Sequence, residues 1–324
     1  MTRGVRCIVM ALGLALALMP GSLARADESS TYSHVFVIVE ENHNYNDIIG
    51  NQNAPNFNLW AATYGSDMRY FGTIHPSEGN YVGMVGADSY GIENDNIWST
   101  NEVNQPNLVD QFEQANLSWK GYFENLPYAG YTGMFFDNEL YAAKHNGFLN
   151  FHDINGSATR LNKLVPYGEF PNDLASGMVP KFSYVVPTQC DDMHGLTQCA
   201  DDQTNIRVAD AWAGSAVGRI MSSSAWVSGH NAIVIVWDES ATGSDGCCDA
   251  TPGGGHVPFI VITNHGPRAL QDGSAGNHYS LVATVQQVFG LGCTASFGGR
   301  QTAVGFTCDS SDVAPLSRLF AVSD

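Results

Sequence analysis

Two near-continuous runs of apolar residues are the clearest pattern in the chain. They cover residues 34–39 and 231–237 and are rich in β-branched side chains. Runs of this kind, without polar alternation, are typical of strands buried on both faces of a parallel sheet. Residues 182–186 and 257–262 have the same character and predict two further strands.

Helical stretches separate the predicted strands. The pattern predicts helices over residues 203–221 and 280–289, and a shorter one over residues 80–86. Strands that alternate with helices indicate an α/β fold, with a doubly wound, mostly parallel sheet and helices on both faces. Residues 86–137 and 155–180 are interpreted as long loops that shape a pocket, and their aromatic residues could bind a substrate or belong to the core.

The first 26 residues are interpreted as a cleavable signal peptide. Arg3 and Arg6 precede the apolar residues 7–19, and Ala24-Arg25-Ala26 has the small-x-small pattern of a cleavage site. The apolar run is shorter than the ~20 residues that a membrane-spanning helix needs. We therefore expect a secreted or periplasmic protein without stable membrane insertion, and a single catalytic domain over residues 27–324.

The charge balance is strongly acidic. The chain has 32 Asp and Glu residues against 14 Lys and Arg, a net charge of −18. Such a surface repels nucleic acids and anionic membranes, so we expect no nucleic-acid partner, and no obligatory protein partner is evident. A phosphate ester would also be repelled unless bound cations reverse the field locally.

Six cysteines follow the predicted signal peptide: Cys190, Cys199, Cys247, Cys248, Cys293 and Cys308. An even number in an exported chain predicts disulfide bonds. The first expected pair is Cys293 with Cys308, and the second is Cys190 with Cys199. The pairing of Cys247 and Cys248 stays open. No CxxC pair supports a zinc-thiolate site.

Acidic residues follow both of the strongest predicted strands. Glu40-Glu41-Asn42-His43 comes after the first, and Asp238-Glu239-Ser240 after the second. In open α/β sheets, ligands bind beyond the carboxyl ends of the strands. One such cluster alone is more often simply solvated, but two at the same edge predict a site for a hard divalent cation.

A serine motif lies between these clusters, His75-Pro76-Ser77-Glu78-Gly79-Asn80-Tyr81. Ser77 precedes a predicted helix, and the N–H groups at a helix N-terminus favour an anion. A phosphate could bind there while the hydroxyl attacks it. The local residues by themselves fit an ordinary N-cap serine better.

Three further polar segments are candidates for chemistry. Asp191-Asp192-Met193-His194 could place an aspartate and a histidine on one cation, although structural hydrogen bonding explains it equally well. Tyr141-Ala142-Ala143-Lys144-His145 supplies one of the few basic residues, which could hold a phosphate oxygen. His278 and His256 each fit an ordinary polar residue when taken alone, and the role of His256 stays open.

Taken together, six segments resemble the phosphoesterase family of secreted bacterial acid phosphatases and phospholipases C, within the alkaline-phosphatase-like superfamily. They occur in the family's order, at residues 39–42, 75–81, 141–145, 191–194, 236–239 and 278–280. The resemblance implies an α/β/α sandwich and a phosphoric-ester hydrolase. Gly79 departs from the family, which usually has proline there, and Gly195 stands where an aspartate is common.

The resemblance also implies roles for the matching residues. Ser77 matches the nucleophile, and Asn80 matches an amide that contacts a phosphate oxygen. The matching metal-binding residues are Glu41, Asn42, Asp192, Asp238, Glu239 and His278. His194 belongs to the same aspartate-x-histidine block as Asp192.

We therefore expect a metal-dependent acid phosphatase that hydrolyses phosphate monoesters through a phosphoserine on Ser77. His194 and His145, together with His75, are candidates for protonating the leaving alcohol, and a protonated imidazole favours mildly acidic pH. Lys144 and His75 are expected to contact the substrate. The expected cofactor is one or two divalent ions, with Ca, Mg, Mn and Zn all open, and the substrate is a small phosphorylated molecule or a phospholipid head group.

Three alternatives were weighed. A phospholipase C-type phosphodiesterase is the nearest, but the modest chain length and the negative charge favour a monoesterase. A sulfatase would need a C/S-x-P-x-R pattern, which is absent around Ser77. A non-catalytic, metal-binding secreted module would not need to retain the serine.

Overall fold

The computed structural model describes residue 1 and residues 32–322, so the predicted signal peptide lies outside the described residues apart from Met1. The strands found there are β1 (His34–Glu40), β2 (Gly65–Asp67), β3 (Tyr70–Phe71), β4 (Trp119–Phe123), β5 (Phe135–Phe136), β6 (Tyr141–Ala142), β7 (Leu164–Pro166), β8 (Phe182–Val186), β9 (Asn231–Trp237), β10 (Phe259–Thr263), β11 (Leu270–Asp272), β12 (Gly276–Asn277), β13 (Thr294–Phe297) and β14 (Arg300–Ala303).

The α-helices in the same part of the chain are α1 (Tyr45–Ile48), α2 (Pro55–Thr63), α3 (Glu78–Gly86), α4 (Leu108–Gln114), α5 (His152–Asn155), α6 (Ala158–Leu161), α7 (Glu169–Ser176), α8 (Asp202–Met221) and α9 (His278–Phe289). Short 3-10 helices cover Ala143–His145, Gly147–Asn150 and Gly305–Thr307. The three predicted helices are confirmed as α3, α8 and α9, each beginning one or two residues earlier than expected.

Eight strands form the central sheet, in the order β11-β2-β10-β9-β1-β8-β4-β7. The five strands from β9 to β7 run parallel to one another. β10 is antiparallel to both of its neighbours, and β2 and β11 are parallel. The sheet is mostly parallel, as predicted. Because β1 lies between β9 and β8, the carboxyl ends of these three strands form one edge.

Helices cover both faces of this sheet. Side chains alternate between the two faces along a strand. On one face, Phe36 of β1 packs against Phe170 of α7. The next residue, Val37, pairs with Tyr184 of β8, whose hydroxyl contacts Met84 of α3 on the other face. The α/β/α sandwich is confirmed, and each buried Val or Ile of β1 and β9 contributes about 1.5–3 kcal/mol to its stability.

The interpretation of residues 86–137 and 155–180 as loops was wrong in part. The first segment contains α4 and β4, and the second contains α6, β7 and α7. β4 lies inside the sheet, and Trp119, Tyr122 and Phe123 belong to the core. Phe135 and Phe136, by contrast, are 39% and 43% exposed.

Three disulfide bonds link the six cysteines. The predicted pairs Cys293–Cys308 and Cys190–Cys199 are present. The open question is answered by a bond between the adjacent residues Cys247 and Cys248. Over the described residues, the structure contains no helix with the length and apolar character needed to cross a membrane.

Candidate active site

Three carboxylates from two neighbouring strands meet at the carboxyl edge of the sheet. β1 and β9 are paired in register along their length, so Glu41 and Asp238 follow them side by side. The backbone N–H of Asp238 donates to the carbonyl of Glu40 at 3.0 Å, and that of Asn42 donates to Oδ1 of Asp238 at 3.1 Å. Glu41 and Asp238 are fully buried, and Glu239 is 5% exposed. The two predicted acidic clusters therefore converge.

Ser77 brings its hydroxyl to this cluster from the residue before α3. Its Oγ lies 3.3 Å from Oε2 of Glu41 and 3.2 Å from Oε1 of Glu239. The side chain makes no capping hydrogen bond, so the alternative of an ordinary N-cap serine is not what the structure shows. The first N–H of the helix, from Glu78, donates instead to Oδ1 of Asp95 at 3.1 Å. That N–H is therefore already occupied by a carboxylate of the same chain.

The cluster has the donor set of a hard cation. Oδ2 of Asp238 is buried and has no hydrogen-bond partner among the described residues. Oε1 of Glu41 lies 3.0 Å from Nε2 of His145, but without hydrogen-bond geometry. Burying carboxylate oxygens without partners costs several kcal/mol, and a divalent cation with oxygen ligands would offset this cost. The residues fit a divalent cation.

The pKa values of the carboxyl groups reflect their crowding. Burial raises the pKa of Asp238 well above its usual range, and the charges of Glu41 and Glu239 raise it further. Burial also raises the pKa of Glu239, although His75 partly opposes this. For Glu41, burial acts in the same direction, but the neighbouring His145 outweighs it and holds the pKa below its usual range. The cluster therefore resists carrying all of its negative charges at once.

A second group of possible metal ligands shares Glu41. The ligand atoms of Glu41, His145 and His194 all lie within 4.8 Å of one another. His145 stacks on the ring of Tyr81 at 4.9 Å, and its Nδ1 lies 3.5 Å from Oδ2 of Asp192. Burial lowers the pKa of His145, but the charges of Glu41 and Asp192 raise it to about 9. Asp192, as placed, orients His145 and accepts the backbone N–H of His194 at 2.8 Å.

Lys144 stands beside this group. Its Nζ donates to Oδ2 of Asp95 at 2.9 Å and lies 3.1 Å from Nε2 of His194. Asp95 therefore connects the ammonium group to the first turn of α3, which follows Ser77. Burial lowers the pKa of His194, so its ring is neutral near pH 7 and Nε2 can accept a hydrogen bond from the ammonium of Lys144.

His75 lies at the outer side of the cluster. Its Nδ1 is 2.5 Å from Oε2 of Glu239, and its Nε2 lies 2.7 Å from the carbonyl of Gly243. The side chain is 37% exposed, and the hydrogen bond to Glu239 raises its pKa. A cavity of about 630 Å³ opens here, with His75, His194 and Glu239 in its wall.

Two of the predicted site residues are engaged elsewhere. Oδ1 of Asn80 accepts hydrogen bonds from the backbone of Thr73 and Ile74, and its Nδ2 donates to the carbonyl of Ile74. His278 has both ring nitrogens in use: Nε2 lies 2.5 Å from the carbonyl of Asp238, and Nδ1 lies 3.1 Å from the hydroxyl of Tyr70. As placed, Asn80 fixes the turn before Ser77, and His278 supports the backbone of Asp238 rather than a cation.

His256 has contacts of its own. It stacks on Tyr45 at 4.5 Å, and its Nε2 lies 3.0 Å from the carbonyl of Met68. These contacts are those of a packed polar residue.

Comparison with known proteins fits this arrangement. A model of the phosphoesterase family matches residues 51–292, which is well over half of the chain. The chain belongs to the phosphoesterase family. The family resemblance inferred from the six segments is confirmed.

Curated relatives of this phosphoesterase are named as phosphatases. An acid phosphatase of Aspergillus fumigatus is 27% identical over 286 residues, covering 86% of this chain and 59% of that protein. A phosphatidylinositol-3-phosphatase of Mycobacterium tuberculosis is 30% identical over 282 residues, covering 86% of this chain and 81% of that protein. The chain spans less than two thirds of the length of the fungal acid phosphatases it matches.

Solved structures support the fold of this phosphoesterase. A protein of the alkaline phosphatase superfamily from Vibrio parahaemolyticus superposes with a TM-score of 0.54 at 10% identity, covering 90% of this chain and 74% of that chain. A lipoteichoic acid synthase from Listeria monocytogenes gives a TM-score of 0.52 at 11% identity, with 86% and 75% covered. At such identities the likeness shows the fold alone.

Asp95 is a residue of the site that was not predicted from the sequence. This residue contacts both Lys144 and the first turn of the helix that follows Ser77, yet it lies in a stretch of mixed polar residues without periodicity. The sequence held one indication of this contact. Lys144 is one of the few basic residues in a strongly acidic chain, so a carboxylate partner for it could have been expected.

Proposed function

We propose that this phosphoesterase is a metal-dependent phosphatase that hydrolyses phosphate monoesters with Ser77 as its nucleophile. The observation that carries the proposal is the position of the Ser77 hydroxyl between the carboxylates of Glu41 and Glu239, in a buried acidic cluster. The fungal and mycobacterial relatives are named as phosphatases, which supports a phosphate monoester as the substrate.

The residues that would hold a divalent cation beside Ser77 are Glu41, Asn42, Asp238 and Glu239. A bound cation there would lower the pKa of a hydroxyl and compensate the charge of the phosphoryl oxygens. If a second ion binds, Glu41, His145 and His194 would hold it, and His194 would then be a ligand instead of the acid assigned below. Metal analysis of the wild type against Glu239→Gln and His145→Gln variants would distinguish one ion from two.

The remaining steps fall to the chain's own residues. The hydroxyl proton of Ser77 passes to the adjacent carboxylate of Glu239 as Oγ attacks phosphorus, and the bond from phosphorus to the leaving oxygen breaks as the phosphoserine forms. Lys144 and His75 flank the cluster and would bind phosphoryl oxygens. Water then attacks the phosphoserine, which releases phosphate and restores the Ser77 hydroxyl.

We assign the protonation of the leaving alcohol to His194 rather than to His145. His194 lines the cavity in which an alcohol would lie, whereas both ring nitrogens of His145 face carboxylates and its side chain is 4% exposed. Because burial lowers the pKa of His194, its protonated form requires an acidic solution. This supports activity at mildly acidic pH.

Replacement of the nucleophile tests the proposal. Ser77→Ala should reduce turnover of p-nitrophenyl phosphate by at least 10³-fold with an unchanged circular dichroism spectrum, because a covalent step cannot proceed without its nucleophile. Ser215→Ala, an exposed serine on α8, is the matched control. Acid quench of the wild type with ³²P-labelled substrate should trap label on the peptide containing Ser77. Full activity of Ser77→Ala would remove this residue from the mechanism.

A phospholipase C-type phosphodiesterase is the second candidate, and one observation favours it. The hairpin of β5 and β6 exposes Phe135 and Phe136 and leads directly into the segment that carries Lys144. Exposed aromatic residues beside a site suit a lipid substrate. Rates with p-nitrophenyl phosphate, bis-p-nitrophenyl phosphate and phosphatidylcholine vesicles would separate the two activities.

We also propose that the protein is exported and that residues 27–324 form one catalytic domain. The three disulfide bonds support an oxidising compartment. Mass spectrometry of the secreted protein should find an N-terminus near Asp27.

A further inference from the structure

The cavity beside Ser77 is placed to receive the alcohol part of an ester. Glu239, which contacts the Ser77 hydroxyl, belongs to its wall, and so do His75 and His194. A phosphate bound at Ser77 would therefore direct its leaving group into the cavity. The volume of about 630 Å³ lies within the range of small-molecule sites.

The wall of this cavity offers no unbalanced positive charge. Among the described residues that line it, none is Lys or Arg. Nε2 of His43 lies 3.2 Å from Oδ1 of Asp202, and Nδ1 of His75 lies 2.5 Å from Glu239. Each of these imidazoles thus faces a carboxylate. The cation proposed beside Ser77 would be engaged by the phosphate under attack, so a second phosphate on the leaving group would meet the carboxylate of Asp202 without a cation of its own, which is unfavourable.

The wall also lacks aromatic side chains. None of the described lining residues is Phe, Tyr or Trp. Nucleobases are held chiefly by stacking on aromatic rings, and quaternary ammonium groups by aromatic cages. Neither kind of leaving group finds its usual partner here.

What the wall does offer is neutral hydrogen-bonding groups. Asn205 and Ser240 line the cavity together with the exposed carboxylate of Asp202, and Asn42, which would also hold the cation, lies in the same wall. The side chain of Asn205, in the first turn of α8, makes no hydrogen bond among the described residues, so its amide is available to a ligand in the cavity. Amide, hydroxyl and carboxylate groups are donors and acceptors that suit alcohol hydroxyls.

We propose that the preferred leaving group is a neutral, hydroxyl-rich alcohol, so that monophosphates of sugars and other polyols are the substrate class. A second phosphate or a nucleobase on the leaving group lowers the rate. This inference rests on the proposed function, since it concerns the alcohol of the ester that Ser77 attacks.

Matched substrate pairs test the inference with the full-length, metal-loaded enzyme. Ribose 5-phosphate and AMP differ by a nucleobase, and fructose 6-phosphate and fructose 1,6-bisphosphate differ by a phosphate. We expect kcat/KM to be at least tenfold higher for the first member of each pair. Equal or reversed values for either pair, with Ser77→Ala inactive on both members, would overturn the inference and leave the proposed function intact.

Two variants test whether residues of the cavity wall cause the substrate preference. Asn205→Leu should lower kcat/KM for ribose 5-phosphate about tenfold relative to p-nitrophenyl phosphate, because the loss of a hydrogen bond to a sugar hydroxyl is not felt by a leaving group without hydroxyls. Asp202→Asn should lower the ratio for the fructose phosphates at least threefold. Gln271→Lys, at an exposed position of the edge strand β11 and outside the cavity wall, makes the same change in net charge and should not alter the ratio.

The outcomes for the two proposals are distinguishable. If Ser77-dependent hydrolysis occurs but Asn205→Leu lowers all substrates equally, the cavity does not select the alcohol and the inference fails. If wild type and Ser77→Ala hydrolyse the esters equally, the proposed function itself fails.

Discussion

The substitution Glu239→Gln should make the metal-free protein more stable. It should also reduce the stabilisation that the protein gains when a divalent ion is added. Oε2 of Glu41 and Oε1 of Glu239 contact the same Ser77 oxygen at 3.3 and 3.2 Å, so they lie at most about 6.5 Å apart, the sum of these two distances. Two buried carboxylates at such a separation repel each other unless a cation lies with them.

The size of the effect follows from Coulomb's law. At ~6.5 Å and an effective dielectric constant of ~20, two like charges repel by about 2.5 kcal/mol. Removing one charge also removes the contact between Glu239 and the partly exposed His75, which is worth under ~1 kcal/mol. The net gain for the metal-free variant is therefore about 1–2 kcal/mol. Wild type should instead gain about 2.7 kcal/mol when a divalent ion is present at ~100 times its dissociation constant.

Thermal unfolding followed by circular dichroism measures both effects, at about pH 8 in chelator and in excess divalent ion. We expect the variant to melt a few degrees above wild type in chelator, and wild type to gain most from the ion. Glu93→Gln, an exposed glutamate in the loop that carries Asp95, controls for the loss of a surface charge. A Glu239→Gln protein that melts below wild type in chelator, yet is stabilised by the ion to the same extent, would refute both the repulsion and the metal-binding role.

Three further outcomes are expected. A Cβ on Gly79 would lie 2.6 Å from the carbonyl oxygen of Ile92, so Gly79→Ala should lower both the melting temperature and the activity. The control is Gly218→Ala, whose Cβ would meet nothing within 4 Å and should raise the free energy of unfolding by up to ~1 kcal/mol. Lys144→Met should raise KM for a monoester about 10- to 100-fold, because a charged hydrogen bond to a phosphate oxygen is lost. Lys181→Met is the control for the loss of a lysine and should leave KM unchanged. Burial holds the pKa of His278 at about 4, so its neutral form stabilises the fold fully above its unfolded pKa near ~6.5. That stabilisation is lost as the pH falls toward 4. In denaturant titrations, the free energy of unfolding of wild type should therefore decline relative to that of His278→Gln over this pH range. Parallel profiles for the two proteins would show that the imidazole is not held neutral.

The convergence of the acidic clusters was predictable because it depends on local rules. The buried strands before Glu41 and Asp238 are long, apolar and free of glycine, and the polar residues after them mark their carboxyl ends. Neighbouring parallel strands then place those ends at one edge. The position of Ser77 between them came from the family resemblance, since its local sequence favoured an ordinary helix cap.

Other features depend on contacts that no local pattern encodes. β10 reads as a buried strand, but an apolar run carries no information on direction, and the strand proves antiparallel. β4 contains Lys120 and Gly121, which interrupt the apolar pattern and hide an internal strand of the sheet within a supposed loop. The family resemblance implied that His278 is a metal ligand, yet in the structure its ring nitrogens contact the carbonyl of Asp238 and the hydroxyl of Tyr70, the latter 208 residues away in the chain.

The negative charge of the chain bears on the chemistry in the same way in the sequence and in the structure. In the sequence, 32 acidic residues against 14 basic ones imply that a phosphate ester is repelled unless bound cations reverse the field locally. In the structure, the buried carboxylates of Glu41 and Glu239 contact the Ser77 hydroxyl, and those of Asp192 and Asp238 are buried near Glu41. The neighbouring Lys144 is already paired with Asp95. A phosphate dianion could approach only if further positive charge entered with it, and the protein's own bases are too few. The same acidity that repels a free phosphate ester therefore makes this site suited to a phosphate ester bound together with a divalent cation.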